Sequence, residues 1–174
     1  MNVFRFRGAA RVAGTAALVV AMAGCAAYGP GGLGPGSTVD QAIASMGQPT
    51  GRYPLAGGGQ RLEFARGPMG FHTYMLDFDA NGALLRSEQV LTEGNFLELQ
   101  IGMSRDEVLR RIGHPSEVSY LSRQQHQLWS YRYETPFCIW YQVSIDASGK
   151  VAELGNNVDP RCERNDRGFG WMGR

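Results

Sequence analysis

Two stretches of the chain, GSTVDQAIASMGQP and GMSRDEVLRRIGHP, place apolar and polar residues in the same order, 66 residues apart. In the second stretch Val108, Leu109 and Ile112 have the spacing of one helix face. Ser104 and Glu107 have the spacing of a capping box, in which each side chain satisfies the other residue's backbone N–H. The pattern therefore predicts a short amphipathic helix that begins directly after Ser104.

The same stretch also predicts where this helix ends. Gly113 can adopt the left-handed conformation of a helix terminus, and Pro115 prevents continuation. The first stretch has the same signals 66 residues earlier, at Thr38, Gln41, Gly47 and Pro49. The two stretches thus indicate two copies of one structural unit.

The match continues into segments with strand periodicity. Tyr74, Leu76 and Phe78 alternate with polar residues, which places them on one face of a strand. At a shift of 67, each apolar position has a counterpart: Leu62 and Trp129, Phe64 and Tyr131, Tyr74 and Tyr141, Leu76 and Val143, Phe78 and Ile145. The change from 66 to 67 requires one inserted residue, which we place in the loop between helix and sheet. DANG and DASG then read as turns.

These patterns predict an α+β fold in which each copy is a helix followed by about three antiparallel strands. The second copy gains a short helix at FLELQI. Pairing of the copies would give one mainly antiparallel sheet with helices packed on one face. The expected organisation is a signal peptide (1–24), a Gly/Pro-rich tether (25–36), a first repeat (37–91), a second repeat (92–158) and a tail (159–174).

The N-terminus has the features of a secretory signal. Arg5, Arg7 and Arg11 precede the apolar run VAGTAALVVAM, which is shorter than the roughly 20 residues of a membrane span. Cys25 follows two small residues and resembles the lipobox cysteine of bacterial lipoproteins, which implies acylation, including palmitate, at Cys25. An ordinary cleavable signal with an incidental cysteine is the alternative. Ala26, by resemblance to lipoprotein sorting, implies the periplasmic face of the outer membrane.

The net charge of the chain bears on whether its partner is a nucleic acid. The chain holds 17 Lys and Arg against 16 Asp and Glu, and loss of three arginines with the signal leaves a net charge of −2. This balance gives no support to nucleic-acid binding, which requires a basic surface.

Two cysteines remain after Cys25. Cys138 lies in the strand-like FCIWYQVSI and Cys162 in the polar VDPRCERND. In an oxidising periplasm an even pair favours a disulfide that would attach the tail to the sheet. The alternative is one buried and one exposed thiol.

Aromatic residues crowd the second repeat. Alternation puts Trp140 and Tyr141 on opposite faces of one strand. One set of rings would then form an exposed binding face, since Tyr and Trp are favoured at interface centres. The alternative is that these rings pack under the tail or the loop between repeats.

Together, the lipobox, the phrase G-M-S-x-x-x-V-x-x-x-I-G-x-P, a Trp/Tyr strand and a D-x-x-G-x-V turn resemble the BamE (SmpA/OmlA) family of small outer-membrane lipoproteins. The tandem arrangement is similar to the β-lactamase inhibitor protein fold. The first resemblance implies an accessory of the outer-membrane barrel assembly machinery, or a relative that supports envelope integrity. The second implies two helix–sheet units that form one curved sheet.

The sequence indicates a protein-binding rather than an enzymatic function. His72, His114 and His126 lack metal-ligand spacing, and no nucleophile or phosphate-binding motif is present. We expect no catalytic residue, metal or cofactor. The hypothesis is a non-enzymatic outer-membrane lipoprotein that binds envelope proteins, with contacts at Met103, Ser104, His114, Tyr131 and Trp140. The alternatives are a periplasmic inhibitor or ligand-capturing module, and a cysteine enzyme built on Cys138.

Overall fold

A computed structural model describes residues 28–162 of the chain. The first repeat consists of α1 (Val39–Met46), β1 (Gly51–Pro54), β2 (Gln60–Ala65), β3 (Thr73–Phe78) and β4 (Leu84–Gln89). The second consists of α2 (Glu93–Leu97), α3 (Arg105–Ile112), β5 (Glu117–Leu121), β6 (His126–Tyr131), β7 (Ile139–Ile145) and β8 (Val151–Val158). The predicted signal peptide, Cys25 and residues 163–174 of the predicted tail lie outside the described residues.

The strands form two antiparallel four-stranded sheets, ordered β1-β2-β3-β4 and β5-β6-β7-β8. The predicted α+β class is confirmed. Each repeat has four strands rather than three, because β1 and β5 add an edge strand. The hydrogen bonds define two sheets rather than one continuous sheet. The edge strand β1 (GRYP) lacks apolar alternation, and in β5 (EVSYL) the alternating Val118 and Tyr120 are exposed rather than part of a core.

Helices α1 and α3 begin and end at the predicted residues. Thr38 and Ser104 each complete a capping box, with Gln41 and Glu107 respectively. Gly47 and Gly113 follow the helices with φ of 87° and 77°. Thr38 also forms an isolated antiparallel β-bridge with Ala83, and Ser104 forms one with Lys150. In both repeats the start of the helix is thus attached to the segment just before the last strand.

Each repeat has its own apolar core. In the first, Ala42 and Met46 of α1 pack on Leu62, Phe64, Leu76, Phe78 and Leu84. In the second, Val108 and Ile112 of α3 pack with α2 on Trp129, Tyr131, Tyr141, Val143, Ile145 and Val151. The counterparts predicted from the 67-residue shift occupy these cores.

The inserted residue lies elsewhere than predicted. Thr50 and Ser116 are 66 residues apart, and their hydroxyls accept hydrogen bonds from the backbone N–H of Ala65 and Arg132, which are 67 apart. The extra residue of the second repeat therefore falls between these points, in the first hairpin of the sheet. A hairpin connection accommodates it without changing how the helix enters the sheet.

A disulfide joins Cys138 to Cys162, whose Cα atoms lie 6.2 Å apart, within the usual range. Beside it, the Arg132 guanidinium donates to both carboxylate oxygens of Asp159 at 2.5 and 3.0 Å. Burial opposes ionisation of Asp159, but its hydrogen bonds with Arg132 and Arg161 prevail and lower its pKa. Arg132 also lies 4.8 Å from the Trp140 ring. The turn after β8 is thus attached to the sheet by a covalent and an ionic link.

We expect replacement of both cysteines by alanine to lower the free energy of unfolding by about 3 kcal/mol, because the disulfide restricts a loop of roughly 25 residues in the unfolded chain. Urea denaturation with and without reductant measures this. Reductant should destabilise the native chain and leave the Cys138→Ala/Cys162→Ala variant unchanged. Equal midpoints for the oxidised chain and the variant would contradict the expectation.

Candidate functional site

A carboxylate is buried where the two repeats meet. On β2 the side chains of Leu62 and Phe64 enter the first core, and Glu63 consequently points from the opposite face of the sheet. Glu63 is 0% exposed. A charged group in this position is stable only when hydrogen bonds replace its lost hydration.

The first repeat supplies two of these hydrogen bonds. Thr50 donates its hydroxyl to Glu63 Oε1 at 2.9 Å, and Tyr53 donates to Oε2 at 2.6 Å. Burial, followed by the hydrogen bond to Glu63, raises the pKa of Tyr53. The phenol therefore remains a donor throughout the physiological range.

The second repeat supplies the others. The backbone N–H of His114 donates to Glu63 Oε1 at 3.0 Å, and His114 Nδ1 lies 2.9 and 3.0 Å from the two carboxylate oxygens. Ionised carboxylate oxygens only accept, and the hydrogen bond therefore requires a proton on Nδ1. The side chain of His114 is 49% exposed. His114 thus joins a buried anion to the surface. We call Thr50, Tyr53, Glu63 and His114 the repeat junction.

Gly113 and Tyr131 support the junction. A Cβ on Gly113 would lie 2.9 Å from both Glu63 Cδ and Thr73 Cγ2, and the positive φ already disfavours other residues. The Tyr131 hydroxyl donates to the Gly113 carbonyl at 3.1 Å from inside the second core. Burial raises the pKa of Tyr131 well above its usual value, which keeps this donor protonated.

An open groove of about 430 Å³ adjoins the junction. Arg61 connects the groove to the repeat junction. It lies two residues before Glu63 on the same face of β2, and its guanidinium donates a hydrogen bond to the Arg110 carbonyl at 2.9 Å. We call the cavity the arginine groove; its lining is Arg61, Arg86, Glu88, Asn95, Glu98, Arg110 and Arg111. The lining has an excess of two positive charges.

Three of the four arginines have carboxylate partners. Arg61 forms two hydrogen bonds with Asp77, at 2.6 and 2.7 Å. Arg86 pairs with Glu88 and Arg111 with Glu98. Arg110 is exposed and forms no ion pair with any residue in the described part of the chain. Its guanidinium is therefore the one in this groove best placed to bind a carboxylate from outside.

The residues predicted to contact partners fall into three places. His114 and Tyr131 come together at the junction, and His114 is exposed there. Met103 packs partly into the second core, and Ser104 is used in capping at the opposite end of α3. Trp140 lies under Arg132 on the other face of the second sheet.

Two of these assignments are corrected by burial. Tyr131 is fully buried and Trp140 nearly so, because the helices cover one face of the sheet and the Arg132–Asp159 pair covers the other. Neither ring is a surface contributor, and the expected exposed aromatic face is not formed by them. Among the described residues, no group of three or more His, Cys, Asp or Glu is positioned to hold a metal ion. No helix in residues 28–162 is long and apolar enough to cross a membrane.

The sequence prediction missed Glu63 and Arg61. Strand alternation places both opposite the apolar residues of β2, where an isolated sheet would leave them in water. The single available signal is that Glu63 stands between two core residues of a central strand. That signal does not reveal which element covers the other face.

Comparisons with known proteins add little to this description. No protein-family model and no curated protein matches the chain. Among solved structures it is similar to a cysteine-rich secretory protein from Staphylococcus aureus, at 14% identity and a TM-score of 0.27, over 72% of this chain. The chain spans 45% of that protein's length.

Two further structures are similar. One is a candidate β-lactamase inhibitor protein from Streptococcus mutans, at 14% identity and a TM-score of 0.32, over 70% of this chain and 82% of that one. The other is a DUF4309 family protein from Bacillus subtilis, at 11% identity and a TM-score of 0.28, over 71% and 79%. None of the three is described as a BamE-family protein. Similarities this weak carry no argument about function.

We expect Gly113→Ala to lower the free energy of unfolding by about 2 kcal/mol more than Gly47→Ala, because the new methyl group would collide with Glu63 and Thr73. Gly47 has a similar backbone conformation and open space around its Cβ position, which makes it the matched control. Urea denaturation of both variants measures the difference. Equal losses would show that the junction tolerates the methyl group.

We also expect Glu63→Gln to cost about 2 kcal/mol of unfolding free energy, because an amide nitrogen replaces an acceptor among several donors. Glu153→Gln, on exposed β8, is the control and should stay within about 0.5 kcal/mol of the native chain. Both values come from the same denaturation series. A neutral Glu63→Gln would contradict the buried-anion description.

Proposed function

We propose that this protein is a non-enzymatic, lipid-anchored module that binds an envelope protein at the periplasmic face of the outer membrane. The lipobox-like Cys25 and the Cys138–Cys162 disulfide support this location, since disulfides persist in oxidising compartments. A lipid anchor would raise the effective concentration of the domain near membrane-bound partners. No chemical step is required of the domain in this function.

The observation that carries the proposal is the arginine groove. It lies between the first sheet and α2–α3, and the repeat junction fixes these elements relative to each other. A preformed groove loses little conformational entropy when a partner binds. Exposed Arg110 supplies a charged contact at its edge, and His114 lies four residues further along the chain.

The charge of the groove indicates the chemistry of the partner. Guanidinium groups bind carboxylates in a fixed geometry, and the existing pairs leave Arg110 available. We infer that the partner presents an acidic, extended segment or loop. The finer assignment, which follows the BamE resemblance, is an accessory of barrel assembly or outer-membrane integrity.

The test is in-cell crosslinking of the native lipoprotein, followed by affinity purification and mass spectrometry. Arg110→Glu should reduce the yield of the specific partner by at least about fivefold, because a rim ion pair becomes a repulsion. Arg123→Glu is the matched control, since Arg123 is exposed on the β5–β6 turn, and it should leave the yield unchanged. An unrelated outer-membrane lipoprotein sets the background.

The identity of the partner decides the finer assignment. Recovery of barrel-assembly components above background supports the accessory function. Recovery of another envelope protein with the same Arg110 dependence keeps the binding module and overturns that assignment. Capture of a periplasmic enzyme by a chain without the anchor would favour the inhibitor alternative. Equal yields from the Arg110 and Arg123 variants would overturn the groove as the binding site.

A further inference from the structure

Tyr28 is the first described residue, and it is docked on the domain. Its ring packs beside Tyr74 at a centroid distance of 6.1 Å, and the guanidinium of Arg66 lies 4.2 Å from its centroid. Tyr28 follows Cys25 by three residues, which span at most about 10 Å even when fully extended. An acylated Cys25 would therefore hold this end of the domain at the membrane surface.

Exposed apolar side chains lie at the same end. The β2–β3 connection carries Met69, which is 68% exposed, and Phe71, which is 50% exposed. Met69, Arg66 and Tyr28 line one open cavity of about 380 Å³. The β2–β3 connection, which carries these apolar residues, thus lies next to Tyr28 at the start of the described chain.

The second repeat contributes its equivalent connection. His72 Nε2 lies 3.1 Å from Glu134 Oε2, and this contact brings the β6–β7 connection beside the β2–β3 connection. Phe137, three residues after Glu134, is 68% exposed. We call Tyr28, Arg66, Met69, Phe71 and Phe137 the anchor-proximal end.

We propose that the anchor-proximal end lies in the headgroup region of the bilayer that holds the lipid anchor, so that the protein contacts the membrane by protein side chains as well as by acyl chains. Met and Phe side chains gain from partial burial at a membrane interface, and a neighbouring arginine can bind lipid phosphate. The proposal rests on the proposed function, because it requires acylation of Cys25.

This arrangement would fix the orientation of the domain. A flexible tether with acyl chains alone allows the domain to rotate freely above the bilayer. Insertion of two connections from different repeats, together with the anchor next to Tyr28, gives three points of contact, which define a plane. The remaining surface, including the arginine groove, then takes one fixed orientation relative to the membrane. The membrane contact of these connections would thus orient the groove, whereas the acyl chains alone would only retain the protein at the bilayer.

Hydroxyl-radical footprinting of the lipidated protein in phosphatidylethanolamine–phosphatidylglycerol vesicles tests this. Met69, Phe71 and Phe137 should be oxidised several-fold more slowly than in the Cys25→Ala chain free in solution. Leu97 and Tyr120, exposed on other elements, should be oxidised equally in both samples. Unchanged rates at Met69, Phe71 and Phe137 in an acylated protein would overturn the proposal and leave the anchor intact.

A variant pair separates contact from anchoring. Met69→Glu combined with Phe71→Glu should return oxidation of Phe137 in vesicles to its rate in solution, because both charges oppose insertion. Leu85→Glu, an equally exposed apolar position on β4, should leave Phe137 protected. Loss of protection in both variants would overturn the assignment of this end. Mass spectrometry of the N-terminal peptide reads acylation separately, and its absence would overturn the lipid anchor itself.

Discussion

One buried carboxylate, that of Glu63, accepts hydrogen bonds from both repeats. Each repeat encloses its own apolar core, and polar contacts of Glu63, Arg61 and His72 join the first repeat to the second. Glu63 accepts hydrogen bonds from Thr50 and Tyr53 in the first repeat and from His114 in the second. Removing any of these partners would leave a buried charge without one of its hydrogen bonds, which is costly. The hydrogen bonds therefore favour one position of the two repeats relative to each other. The arginine groove depends on that position.

The junction shows how a duplicated unit becomes asymmetric. At equivalent positions, Ser130 in the second repeat stands where the first has Glu63, and Gln48 stands where the second has His114. Ser130 accepts a hydrogen bond from Gln142 within its own sheet. The repeats therefore share helix caps, turns and core positions, and differ where one must bind the other. The shared positions form the scaffold of each repeat, and these polar residues distinguish the two copies where they meet.

The two proposed surfaces use this scaffold differently. The arginine groove is built where the repeats meet, and its charge suits an acidic protein segment. The anchor-proximal end is built from equivalent connections of both repeats, and its apolar side chains suit a lipid surface. Because both surfaces lie on elements fixed by the same junction, a contact with the membrane would also set the direction in which the groove faces. Anchoring and partner binding would then be geometrically coupled without any conformational change.

The sequence alone determined the parts of the fold that local chemistry controls. The capping boxes at Thr38 and Ser104, the glycines that end the helices and the alternation of β2 and β3 are short-range patterns, and they predicted the repeats, the α+β class and most of each core. The edge strands β1 and β5 were missed, because β1 has no apolar alternation and the alternating Val118 and Tyr120 of β5 lie outside both cores. Tertiary structure decided what covers the second face of β2, and therefore that Glu63 is buried and Tyr131 is not at the surface. Such choices depend on contacts between residues about 50 positions apart, which no local pattern of apolar and polar residues encodes.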